Sequence, residues 1–267
     1  MDSEEKKIVG MEVKIPDCID KTVENLTSPL SKSVGTTLAD LWYLVFGSVN
    51  TFAEKKRIVQ AKSLEDFKSN LEKRIETIPE DKRIMPDTQI VGGALYDSRF
   101  CVDKDELRNM FENLIASSLN SDTASDVHPS FSGIIRQMTC KDAQTLAKFK
   151  SKPRLPIVNY VYVLASDAGT VPAFQNIISV DTAYNCQKES VSLECLQSFG
   201  LITINFSRYF SDSTMYDALI SSPLFLSTQA AVKNQLETHP TAIDLTYQKG
   251  IAFLTDLGRY FLSVCMP

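Results

Sequence analysis

Histidine is nearly missing from this chain: of its 267 residues only His128 and His239 carry an imidazole. A three-histidine metal centre is therefore excluded, and a nucleophile activated by histidine has just two candidate bases. Neither stands in a catalytic motif, since G-x-S-x-G, H-E-x-x-H and the paired kinase signatures do not occur. The six cysteines, Cys18, Cys101, Cys140, Cys186, Cys195 and Cys265, never approach the Cys-x-x-Cys spacing of a zinc knuckle or a redox pair. The reading is of free thiols, no metal and no cofactor.

Long hydrophobic runs are missing too. The longest bulky apolar stretch, Leu41 to Phe46, falls far short of the roughly 20 residues a bilayer crossing needs. The opening Met1-Asp2-Ser3-Glu4-Glu5-Lys6-Lys7 lacks the apolar centre of a secretory signal, so a cytoplasmic location is expected. On that reading the sequons at Asn25 and Asn205 never meet the enzyme that would modify them. The net charge of -5 supplies no general field toward nucleic acid or an anionic membrane.

What is present is an ordinary globular composition, 43% apolar and 23% charged, enough for one large or two modest cores. Residues 1–15 are polar, alternate in charge and read as a mobile tail. Residues 16–150 read as a helical domain. Leu38, Leu41, Trp42, Val45, Val49 and Phe52 fall on one helical face. Ser63-Leu64-Glu65-Asp66 resembles a helix start, with Leu64, Phe67, Leu71 and Ile75 inward. Pro79 stops that helix, and Pro86-Asp87 opens another that Gly92-Gly93 interrupts. That glycine pair lacks the following Lys-Ser or Lys-Thr of a phosphate loop, so it reads as a kink or a close packing point.

The strongest period runs from Val102 to Leu119, with Leu107, Met110, Phe111, Leu114, Ile115 and Leu119 on one stripe. Asp103, Asp105 and Glu106 at its start suit the positive end of the helix dipole. His128-Pro129 opens a further helix with Phe131, Ile134, Ile135 and Met138 inward, and Asp142 to Phe149 forms another.

After Pro153 and Pro156 the character changes. Ile157 to Leu164 is rich in valine and tyrosine, so a second region, residues 151–267, begins as a strand. Residues 193–202, LECLQSFGLI, read as helix, glycine cap and strand. Ala242 to Tyr247 and Ile251 to Leu254 flank Gln248-Lys249-Gly250 and read as a hairpin. Thr255 to Val264 closes as a helix with Leu257, Tyr260, Phe261 and Val264 inward. The fold class is α+β and mainly α, a helical N-terminal half followed by a winged-helix-like C-terminal half.

That second half is a poor DNA reader by charge. From Val191 onward Arg208, Lys233, Lys249 and Arg259 face six acids, Glu194, Asp212, Asp217, Glu237, Asp244 and Asp256. Its helix between Ser190 and Phe199 has no lysine or arginine, so tight duplex binding is not expected. One basic run, Lys55-Lys56-Arg57 with Lys62 beyond, leaves a peripheral membrane contact open beside the plainer reading of a solvated helix face.

Several segments resemble those of the Abi-alpha, or abortive infection alpha, family. Phe111-Glu112-Asn113-Leu114-Ile115-Ala116 stands where the family has approximately tryptophan, alanine, asparagine, two leucines and alanine. His128-Pro129 with Phe131, then Asp142-Ala143 with Leu146, follow in the family's order. LECLQSFGLI and Leu254-Thr255-Asp256-Leu257-Gly258-Arg259-Tyr260-Phe261 resemble its Leu-Gly-Leu-Ile and Leu-Thr-x-x-Gly-x-x-Phe segments. Phe111 and Glu112 depart from tryptophan and alanine.

The resemblance implies a role in abortive infection, with no catalytic residues to carry over. The expected function is a non-enzymatic sensor or interaction module with a phage or host protein as partner. The alternative is a toxin enzyme, such as a nuclease, whose site assembles only in the fold. Asn113 and His128, the polar positions that match, are the candidate structural or interaction residues, expected to tie the central helices together.

Overall fold

The computed structural model describes residues 32–46, 54–165, 169–234 and 241–267. The tail at 1–15, Cys18, Asn25, Val49, Phe52, His239 and the side chains of Lys55, Lys56 and Arg57 lie outside the described residues.

The chain is mainly helical, with a four-stranded antiparallel sheet in its C-terminal half. Helices α1 (Lys32–Phe46), α2 (Glu54–Glu76), α3 (Thr88–Ser98), α4 (Asp105–Ser118), α5 (Ser130–Gln137) and α6 (Cys140–Ser151) come first. Strands β1 (Arg154–Leu164) and β2 (Thr170–Ile177), helix α7 (Ala183–Ser198) and strand β3 (Ile202–Asn205) follow. Short helix α8 (Asp217–Ile220), then α9 (Pro223–Lys233), β4 (Ala242–Leu254) and α10 (Asp256–Cys265), complete the order.

The expected stripes form the core. Leu38, Phe67, Leu71, Ile75, Leu107, Phe111, Leu114, Ile115, Leu119, Phe131 and Ile135 are all buried. One large apolar cluster takes in residues from Leu38 through Phe149 and continues through Ile157, Leu193, Ile202, Leu254 and Phe261. A smaller cluster of Val158, Tyr160, Ile177, Cys186, Tyr216, Leu219, Leu224, Phe225 and Leu245 forms around the other part of the sheet.

Four local expectations are corrected. Ser63 starts no helix: it is buried within the continuous α2, whose period carries on through it. Gly92 and Gly93 do not interrupt α3, which runs unbroken from Thr88 to Ser98; an added Cβ would meet Leu41 and the Ser132 hydroxyl only at ordinary contact distances of 3.8 and 3.7 Å. Tyr260 points outward and is 52% exposed, its inward place being taken by Leu262.

The fourth correction removes the hairpin. Ala242 to Leu254 is one strand paired along its whole length with β1, from Arg154↔Phe253 to Leu164↔Ala242. Gly250 sits mid-strand opposite Ile157, and a Cβ there would come within 2.6 Å of the Phe206 ring and 2.9 Å of the Asn205 carbonyl. The glycine serves close packing and makes no turn.

The sheet order is β2-β1-β4-β3. Strand β2, which the sequence reading passed over, lies at one edge, where Pro172 opposite Val161 is tolerated. The stretch from Ser207 to Pro240 carries α8 and α9, and these supply much of the smaller cluster.

Candidate functional site

Asn113, the Gly200 stop and the Thr255–Gly258 start, all singled out from sequence, meet at α10. Thr255 caps it, its hydroxyl oxygen accepting from the Gly258 N–H at 2.9 Å and donating to the Gly200 carbonyl at 2.6 Å. Gly200 has φ 75°, the left-handed stop that turns α7 toward β3. Gly258 has no alternative, since a Cβ would lie 2.0 Å from the Leu201 carbonyl oxygen. The Leu-Gly-Leu-Ile and Leu-Thr-x-x-Gly segments are thus two sides of one joint.

At its other end α10 is held by α4. Asn113 Nδ2 donates to the Cys265 carbonyl at 2.9 Å, and the Ser117 hydroxyl donates to that of Val264 at 3.3 Å. Carbonyls of a last helical turn lack partners within the helix, and these side chains supply them. His128 is exposed at the start of α5. Its Nδ1 accepts from the Ser130 N–H at 3.1 Å and lies 2.7 Å from the Ser130 hydroxyl, so its hydrogen bonds stay within its own segment. Its ring is 6.1 Å from Phe131, which meets Phe261 of α10 edge-on at 5.2 Å. Asn113 therefore reaches α10 directly, whereas His128 meets only its own segment and ties no two helices together by hydrogen bonds.

Asp142 closes a capping box with Thr139 at the start of α6. Asp105 and Glu106 fall in the first turn of α4 as expected, but its N-cap, Lys104, makes no side-chain capping bond, and Asp105 pairs instead with Arg108 at 2.8 Å.

Two buried carboxylates were not foreseen. Glu112 of α4 is fully buried and accepts from Asn70 at 3.3 Å and Arg74 at 3.2 Å, both on α2, with Arg108 3.7 Å away. Burial pushes its carboxyl above the usual range, against the pull of Asn70, Arg74 and Arg108. Glu189 of α7 is bound by Lys148 of α6 and the Ser179 hydroxyl, with Lys141 at 3.8 Å. A sequence signal existed for Glu112, which occupies a position where the resembled family has alanine; for Glu189 there was none.

An open groove of about 480 Å³ lies between the starts of α7 and α9, lined by Val180, Asp181, Thr182, Ala183, Pro223, Leu224 and Ser227. Its one carboxylate, Asp181, accepts from the Thr182 N–H and from Asn185, which hold it below the ordinary carboxylate range. Among the described residues no group of three His, Cys, Asp or Glu is placed to hold a metal ion. Nor is any described helix long and apolar enough to cross a membrane.

The α10 joint coincides with the reach of a known family: the model for Abortive infection alpha matches residues 59–265. The chain belongs to that family. Within the Abortive infection alpha match lie Asn113, His128, the Gly200–Leu201 stop and the Thr255–Gly258 start. No curated protein matches. A solved structure, of an uncharacterized protein from the hydrocarbon-degrading marine bacterium Alcanivorax borkumensis SK2, is 16% identical with a TM-score of 0.32, covering 51% of this chain and 92% of that one.

Proposed function

We propose that the protein is a bacterial, cytoplasmic phage-defence component of the abortive infection type, acting as a non-enzymatic sensor or interaction module. The family match over residues 59–265 carries the defence role. The state of the carboxylates supports the non-enzymatic part. Glu112 and Glu189 are each engaged by cations from a neighbouring helix, and the groove presents a single carboxylate that is already hydrogen-bonded. A hydrolytic centre wants acids converging on open space; here they join helices.

Recognition of a phage or host protein is the proposed trigger. The region from residue 151 is proposed as the winged-helix-like half, supported by its helix-to-strand step from α7 into β3 and its strand-to-helix step from β4 into α10. Supplying the gene to a phage-sensitive host tests the role: plating efficiency should fall for at least one phage. Unchanged plating across a broad panel would overturn it.

A further inference from the structure

The groove between the starts of α7 and α9 leaves apolar surface in contact with solvent. Its floor is Leu224, a member of the small core, and Val180, Ala183 and Pro223 line it beside the polar Asp181, Thr182 and Ser227. Val180 is 49% exposed, and Pro223 is exposed as well. Both sides are fixed from behind. The Cys186 thiol lies 3.7 Å from the Ser179 and Asp181 carbonyls and so brackets Val180, while the Tyr160 hydroxyl lies 3.0 Å from that of Ser222 at the start of α9. A surface fixed in advance loses little conformational entropy when it binds.

The residues lining the groove retain hydrogen-bonding capacity. Asp181 is exposed; one of its oxygens accepts from the Thr182 N–H at 2.7 Å and the other from Asn185 Nδ2 at 3.0 Å, which leaves each with a further lone pair. Those bonds keep it ionised. Lys141 and Lys148, the lysines whose charge reaches it, are drawn to Glu189 instead. In the first turns of the two helices, the Thr182 hydroxyl serves the Asn185 N–H and the Ser222 hydroxyl serves that of Phe225. The N–H groups of Ala183 and Leu224, both lining residues, have no partner among the described residues.

We infer that this groove docks a segment of a partner protein in which a bulky apolar side chain stands beside a lysine or arginine. The apolar group covers Leu224 and Val180, the cation pairs with Asp181, and a backbone carbonyl accepts from a helix start. At about 480 Å³ the groove has the volume of a small-molecule pocket without its enclosure, and such pockets bury most of their ligand's surface. A free anion suited to two helix starts is repelled by Asp181. A bare cation leaves the apolar walls in water. A peptide supplies apolar surface, charge and carbonyls together. The inference deepens the recognition reading above and rests on it, by naming where the partner docks and with what chemistry.

A random heptapeptide library displayed on ribosomes, selected on the full chain and counter-selected on Ser227→Arg, tests it. Ser227 is exposed at the groove, so the new arginine occupies it and meets Asp181 without entering the core. Enriched peptides should join a bulky apolar residue to lysine or arginine. By fluorescence polarisation their affinity should fall at least about tenfold on Ser227→Arg and about three- to fivefold on Asp181→Asn, which keeps an acceptor for the Thr182 N–H. Both variants should melt as the wild type does. No enrichment over the Ser227→Arg protein, enrichment of acidic sequences, or indifference to Asp181→Asn would overturn the assignment. So would a wild-type dimer in analytical ultracentrifugation that Ser227→Arg dissolves, which would give the groove to a second copy. Phage plating separates this inference from the defence role. Protection lost with Ser227→Arg at full stability ties the groove to the trigger, and protection unchanged when peptide binding is gone overturns it as the recognition surface. Peptide selection that succeeds while the wild type protects against no phage leaves the groove standing and removes the defence role alone.

Discussion

The two apolar clusters are held together by different physics. The large one is closed by fit: α10 enters it through a backbone contact so near that Gly258 admits no Cβ, and Phe131 and Phe261 meet edge-on beneath. The small one is closed by hydrogen bonds from buried tyrosines. Tyr160 donates to the Leu219 carbonyl at 2.6 Å and lies 3.0 Å from the Ser222 hydroxyl, while Tyr216 bonds Gly250 and Phe210. The first should fail when volume is added, the second when a hydroxyl is removed.

The difference breaks most sharply at Gly258. Gly258→Ala forces a methyl against the Leu201 carbonyl, so the α10 joint must open at a cost of about 3 kcal/mol. Chemical denaturation should show it, and full stability would mean that the joint is looser than its geometry. Next comes Glu112. Glu112→Ala leaves Arg108 and Arg74 facing an emptied pocket and should cost about 2 to 3 kcal/mol, less than a fully enclosed pair because Arg74 is partly exposed.

Glu112 also has a pH signature. With its carboxyl raised in the fold, the folded state binds the proton at a higher pH than the unfolded chain does. Stability from this group therefore rises as pH falls through the folded value and is lost as pH rises above it. Glu112→Gln should be milder than Glu112→Ala and should flatten that dependence in denaturation curves taken at several pH values.

For the small cluster, Tyr216→Phe keeps the ring and removes both hydroxyl bonds, leaving the Phe210 N–H without its acceptor. A loss of about 1 to 2 kcal/mol is expected. If Tyr216→Phe were neutral while Tyr216→Leu was not, the small cluster would be held by packing after all and the contrast would disappear.

Much of this architecture was legible because periodicity reports which face is buried. Phe67, Leu71 and Ile75, or Leu107, Phe111 and Leu114, announce themselves by spacing alone. Glycine misled because its permissiveness serves turns and close contacts alike. Gly200 was a cap as read, whereas Gly250 was a packing point whose neighbour, Phe206, is remote in sequence, and Gly92-Gly93 sit in an unbroken helix. Strand β2 escaped because Pro172 breaks its pattern at an edge where no partner demanded the N–H. The burial of Glu112 depends on Asn70 and Arg74 from another helix, and that of Glu189 on Lys148, so neither could be read from its own segment.

Asn113 and His128 test whether the family's polar positions hold the fold or do something else. Asn113 is half-buried and donates to α10 directly, so Asn113→Ala should destabilise by about 1 to 2 kcal/mol. His128 acts at one remove. It caps α5 through the Ser130 N–H, and α5 in turn presents Phe131 to Phe261. Losing a capping acceptor at an exposed helix start leaves a donor that water can still satisfy, so His128→Ala should cost only about 0.5 to 1 kcal/mol. His128→Asn keeps a short acceptor at that start and should recover most of the loss. Thermal melts of the three proteins beside phage plating decide the matter: plating that follows stability assigns both residues to the α10 joint. Loss of plating by His128→Ala at unchanged melting temperature, without rescue by His128→Asn, would instead make the exposed imidazole part of the surface that meets the partner.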